Sequence, residues 1–297
     1  MARFAVVVAL LAVILHVAVG LEGTTRNKLS VKFSTSADKK QKCNFIDMPR
    51  TLAAAVKKHF KRMYYRDQGL TSVWCPHSDY HMCLIYDKKG SIAGIQMTLT
   101  PKEAATASVP INLNTVPEWE ASRNFTMQTY TLTVYFVSKD VIRRGGRKLS
   151  PGDSTVPEGA FILQTDSEGR EINRLLMPID QEKAVAPHFA LQGCGEGQGI
   201  HYNQNRTPDT PCEEFRPYFV LYSSVTKKLV GFVFSSFGEV PSAKQDWFDL
   251  MSIYQLKKLA PRGPNCLVDW AEKYTLFTSH VYFIQRPWEL TCPGTAY

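Results

Sequence analysis

Two short runs rich in β-branched and aromatic residues, Met82–Asp87 and Ile92–Leu99, flank Lys88-Lys89-Gly90, and this pattern predicts a β-hairpin. A second hairpin is predicted where residues 219–224 and 229–235 bracket Thr226-Lys227-Lys228. Strands are also predicted over residues 129–138, 161–165, 172–177 and 276–285, the middle two joined by Asp166-Ser167-Glu168-Gly169. Helical spacing is confined to two stretches. Over residues 50–66, Leu52, Val56, Phe60, Met63 and Tyr64 recur on one stripe while Lys57, Lys58, Lys61, Arg62 and Arg66 fall largely elsewhere; residues 247–259 have a similar period. The sum predicts an α+β fold, strand-rich, with antiparallel hairpins and a few helices.

The two halves of the chain share an order of features. Leu84-Ile85-Tyr86, a lysine-bearing turn and Ile92-Ala93-Gly94-Ile95 echo Val220-Leu221-Tyr222, another lysine-bearing turn and Leu229-Val230-Gly231-Phe232. Val134-Tyr135-Phe136-Val137 then echoes Val281-Tyr282-Phe283-Ile284, and a segment with cysteine and histidine precedes each hairpin. Two related halves are expected, residues 21–149 and 150–297, packed as two units or as one, with Ser150-Pro151-Gly152-Asp153-Ser154 as the linker. A ligand surface is expected near their junction, where concave surfaces gather.

Residues 1–20 read as a signal peptide: Met1-Ala2-Arg3, an apolar run over residues 4–19, and small Ala18 and Gly20 ahead of the cleavage point. No later run is long and apolar enough to span a membrane, so a secreted, extracellular mature chain is expected. That setting gives the seven cysteines a disulfide reading, with local pairing joining Cys75 to Cys83, Cys194 to Cys212 and Cys266 to Cys292 and leaving Cys43 free or linking chains. Asn124-Phe125-Thr126 and Asn205-Arg206-Thr207 are glycosylation sequons. The net charge of +8 favours polyanionic extracellular partners such as sulfated glycans, and export argues against nucleic acid.

In Cys75-Pro76-His77-Ser78-Asp79-Tyr80-His81-Met82-Cys83, an extended backbone would put His77, Asp79 and His81 on one face, a donor set that suits zinc, copper or non-haem iron. The alternative is a disulfide-stapled surface turn with solvated histidines. Glycine recurs at every second position from Gly193 to Gly199, which permits close approach to a ligand but reads by default as a flexible or turn-forming loop; the pattern matches no nucleotide-binding loop, and His201 beside it is a candidate catalytic residue. Arg143, Arg144, Arg147 and Lys148 form a candidate polyanion-binding cluster. Gly152-Asp153-Ser154 matches the triplet of one hydrolase class over three residues only and reads as a turn.

No cofactor is named by these patterns. They point to a secreted disulfide-containing glycoprotein that binds an extracellular ligand or belongs to the matrix. The alternative is a secreted hydrolytic or oxidative enzyme, with or without metal, that uses His77, His81 and His201.

Overall fold

The computed structural model describes residues 25–32, 45–123, 125, 127–184, 189–204, 207–240 and 242–294. The described residues form two antiparallel sheets and five short helices, as the strand-rich pattern predicts. The first sheet contains β3 (Lys61–Arg66), β4 (Thr71–Cys75), β5 (Met82–Asp87), β6 (Ile92–Leu99), β8 (Thr129–Tyr135), β9 (Ala160–Thr165) and β10 (Glu171–Met177) in sequential order, with β7 (Trp119–Ser122) added against β8. The second runs β11 (Phe189–Gly195), β12 (Gly199–Gln204), β13 (Tyr218–Tyr222), β14 (Leu229–Phe237) and β16 (Leu276–Tyr282). It continues into β1 (Ser30–Lys32) and β2 (Phe45–Asp47), and β15 (Asp249–Leu250) is added against β16. The helices are α1 (Leu52–Lys57), α2 (Pro101–Ala105), α3 (Lys139–Arg143), α4 (Ile253–Leu259) and α5 (Leu267–Tyr274).

Alternation along the central strands sorts their side chains. Met82, Leu84 and Tyr86 of β5 and Tyr218, Val220 and Tyr222 of β13 enter one core shared by both sheets, while Cys83 and Ile85, and Phe219 and Leu221, enter separate clusters on the opposite faces. Both faces of each central strand are therefore covered, which explains why these strands read as continuous apolar runs. Seven strands laid flat would hold the sheet edges roughly 29 Å apart. The first sheet curls instead, so that Arg174 of β10 reaches Asp67, beside β3, at 3.2 Å.

The central hairpins match in register. Ile85 pairs with Gly94 and Gly94 with Tyr135; Leu221 pairs with Gly231 and Gly231 with Tyr282; each hairpin shifts register just before its tyrosine. A Cβ at Gly94 would lie 2.7 Å from Val134 O and one at Gly231 2.2 Å from Val281 O, so close backbone approach requires glycine at both positions. The sheets also exchange chain. Tyr86 Oη donates to Pro49 O, beyond β2 of the second sheet, at 2.7 Å, and Tyr222 Oη donates to Pro178 O, beyond β10 of the first, at 2.8 Å. Bridges Thr51–Ser91 and Asp180–Lys228 follow each crossing. The strands β9 and β10 thus belong with the first sheet and β1 and β2 with the second, so the sheets do not divide the chain at 149/150.

Four expectations need correction. The helix predicted over residues 50–66 stops at Lys57, because His59 takes a left-handed φ of 61° and the rest pairs with β4 as edge strand β3. Pairing overrides the local helical period there. The helix predicted over residues 247–259 starts only at Ile253, behind a Ser252–Gln255 capping box. The glycine-rich segment is largely a β11–β12 hairpin, turning at residues 196–198. Cys75–Cys83 forms as expected, but the other bonds are Cys194–Cys292 and Cys212–Cys266. The C-terminal segment lies across the β11–β12 turn, where Cys292 N donates to Glu196 and Gly197 N to Leu290 O, bringing Cys292 to Cys194. Cys212 and Cys266 meet beside the cluster of Phe215, Phe237, Leu256 and Leu267. No described helix is long and apolar enough to cross a membrane.

Candidate functional site

The Cys75–Cys83 disulfide closes the β4–β5 connection, and a turn from Pro76 to Asp79 carries Ser78 at φ 64°. That turn separates the three predicted ligands. His77 points outward with Nδ1 2.8 Å from Ser78 Oγ, whereas Asp79 and His81 are buried. Asp79 Oδ1 sits 2.7 Å from His81 Nδ1 and also accepts from His81 N–H at 3.0 Å. Among the described residues, no group of three His, Cys, Asp or Glu side chains is disposed to hold a metal.

The opposite face of the imidazole is met from α2. Thr100 and Glu103 form a capping box in which Thr100 N and Oγ1 donate to Glu103 Oε2 at 2.8 and 2.9 Å. Its other oxygen, Oε1, lies 2.9 Å from His81 Nε2. A loop of the second sheet, between β14 and β15, closes the cluster. Ser242 Oγ is 3.2 Å from His81 Nε2 and donates to Glu103 Oε1; Lys244 N and Trp247 Nε1 donate to Asp79 Oδ2 at 2.9 and 2.8 Å. Tyr80 stacks on the imidazole at 4.3 Å, and Phe248 meets its edge at 6.2 Å.

Electrostatics follow from these contacts. Burial opposes a charge on His81, but its hydrogen bonds to Asp79 and Glu103 outweigh that cost and raise its pKa above the ordinary imidazole value. Burial likewise opposes ionised Glu103, yet hydrogen bonds from His81, Ser242 and Thr100 N–H bring it down to about 2. Asp79 is lowered in the same manner. Below the ordinary imidazole value of 6.5 the cluster is an imidazolium between two carboxylates, with exposed Ser242 at its solvent side. Beside it, Val240, Ala243, Phe248, Leu250 and Phe277, together with polar Gln245 and Asp246, line a cavity of about 170 Å³. A hydroxyl, a nitrogen base and a carboxylate that orients the base are the parts of a nucleophile-activating triad.

The other predicted residues lie elsewhere. His201 is buried on β12 with Nδ1 3.1 Å from Gly199 O, and its ring neighbours are Phe219 and His280, the latter 6.1 Å away. Arg143, Arg144 and Lys148 are exposed, but Arg147 turns inward to donate to Ser154 O and Thr155 O at 2.9 and 2.5 Å. Burial lowers its pKa to about 10. Cys43, the leader, Asn124 and Asn205 lie outside the described residues. Sequence reasoning missed Glu103, Ser242 and Trp247; only Glu103 left a signal, as the fourth residue of Thr100-Pro101-Lys102-Glu103.

At the expected junction, a cleft of about 530 Å³ is lined by Asn27, Lys28, Asp47, Arg50, Gly152 and Gln285, among others. Arg50 forms its wall by donating to the carbonyls of Asn27, Pro151 and Asp153. No protein-family model, curated protein or solved structure matches this chain.

Proposed function

We propose that this is a secreted, glycosylated binding protein made of two related halves, which takes a polar carbohydrate, sulfated glycans included, in the cleft at their junction. The observation that carries this function is the cleft of about 530 Å³ where the N-terminal segment and residues 151–152 come together. That volume suits a small ligand, about 300–1,000 Å³ being the usual range. Exposed Lys28, Asp47 and Gln285 present an ammonium, a carboxylate and an amide, groups that hydrogen-bond hydroxyls and, for Lys28, pair with sulfate. Support for related halves comes from the matched registers at Gly94 and Gly231 and the reciprocal bonds of Tyr86 and Tyr222. Three disulfides accord with an oxidising compartment.

Calorimetric titration with a heparin-derived tetrasaccharide and its desulfated counterpart tests the assignment. Saturable binding that weakens at least about tenfold in a Lys28→Ala, Gln285→Ala double variant is expected, a hydrogen bond to a charged group being worth about 1.5–3 kcal/mol net. Equal affinity of the variant and the parent chain for both sugars, or no saturable binding to either, would overturn it.

A further inference from the structure

We propose that Ser242 is a nucleophile activated by His81 and Asp79, that it cleaves carboxylic esters, and that the neighbouring cavity receives the acyl chain. Ser242 is exposed while the base behind it is fully buried, so a substrate has access to the hydroxyl and to nothing else of the cluster except from that side. Asp79 orients His81 through Nδ1 at 2.7 Å and is itself fixed by Trp247 Nε1 and Lys244 N, the two-layer support that a catalytic imidazole requires. Val240, Ala243, Phe248, Leu250 and Phe277 form one side of the cavity and Gln245 and Asp246 the other, so its about 170 Å³ takes a short acyl chain along the apolar side only. The groups facing His81 are Asp79, Glu103, Ser242 and the ring of Tyr80.

The working form has lost the Nε2 proton, leaving Nδ1–H on Asp79. Ser242 Oγ then bonds to the ester carbonyl carbon, its proton passes to His81 Nε2, and the carbonyl π pair moves onto oxygen. Collapse restores the carbonyl, breaks the bond to the alcohol oxygen, and returns the Nε2 proton to the departing alcohol. Water repeats both steps on the acyl-serine and releases the acid. Glu103, 2.9 Å from Nε2, is a positioning residue that favours the imidazolium and so sets the pH at which the base becomes free. This activity does not depend on whether the junction cleft binds a glycan.

The purified full chain is treated with a fluorophosphonate probe and assayed on p-nitrophenyl acetate, butyrate and decanoate. Expected are a single phosphonylated residue, Ser242, and a preference for the short esters. Turnover should fall at least about 100-fold in Ser242→Ala, the scale set by losing an activated nucleophile. The pH–rate profile should rise through a midpoint above that of ordinary imidazole, and Glu103→Gln should move that midpoint down. Ser242→Ala removes one exposed hydroxyl, and its melting transition establishes that it folds. A folded parent chain that is not phosphonylated, or an esterase rate unchanged in Ser242→Ala, overturns the proposal and leaves the cluster as a lock that pins the β14–β15 loop to the first sheet.

Discussion

Phe136 and Phe283 meet edge to face with ring centroids 5.3 Å apart, one just beyond β8 of the first sheet and the other just beyond β16 of the second. They occupy corresponding places: Phe136 N donates to Ala93 O and Phe283 N to Val230 O, each next to the glycine of its central hairpin. A pair of corresponding residues in mutual contact is what an axis of approximate twofold symmetry between the sheets would produce. Chain exchange then has a physical reason, because each sheet's outermost connection crosses to the hairpin of the other and buries its proline carbonyl under a tyrosine.

That exchange predicts matched energetics. Tyr222→Phe leaves Pro178 O buried without its phenol donor, and Tyr86→Phe does the same to Pro49 O. Each should cost about 1–3 kcal/mol, the desolvation penalty of an orphaned buried acceptor. Urea unfolding of both variants measures it. Costs that differ by more than about 2 kcal/mol would argue against equivalent roles.

The disulfides should differ in weight. Cys194–Cys292 closes a span of 98 residues and Cys75–Cys83 one of 8. Chain entropy assigns them about 4.7 and about 2.5 kcal/mol respectively. Paired Cys→Ser variants compared by melting temperature should rank in that order, and the reverse order would show that contacts around Cys75–Cys83 outweigh loop closure.

The sequence carried the central hairpins well, because β5, β6, β13 and β14 are covered on both faces and therefore read as bounded apolar runs. Edge strands were harder. β3 exposes Lys61, Arg62, Met63 and Tyr65 and takes its shape from pairing with β4, so its local spacing imitated a helix. The candidate site was half legible: Asp79 and His81 stand two residues apart, but Ser242 reaches them across 161 positions of sequence separation. Disulfide partners failed for the same reason, since proximity of Cys194 and Cys292 depends on the C-terminal segment crossing the β11–β12 turn.

The buried cluster predicts a stability profile with two limbs. His81 has a raised pKa in the folded chain, so its stabilisation is fully present below the ordinary 6.5 and fades as pH rises through the folded value. Glu103 falls from 4.5 to about 2, so its stabilisation is present above 4.5 and is lost as pH drops toward 2, with Asp79 acting in the same direction. Urea midpoints should therefore be highest between pH 4.5 and 6.5 as far as this cluster is concerned. Glu103→Gln should flatten both limbs, and undiminished curvature in that variant would place the pH dependence elsewhere.

Arg147 separates architecture from ligand binding within one basic cluster. Its guanidinium donates to Ser154 O and Thr155 O, and its backbone N–H donates to Asp87, whereas Arg143 and Arg144 project into solvent. Arg147→Ala should therefore cost about 2–4 kcal/mol by stranding carbonyls that accept from a charged donor. Arg143→Ala with Arg144→Ala should leave the melting transition within about 0.5 kcal/mol of the parent, as exposed charges do. The same double variant should elute from immobilised heparin at lower salt, because exposed cations act through screened attraction. Normal stability of Arg147→Ala would contradict the inward role, and unchanged elution of the double variant would remove these arginines from any polyanion surface.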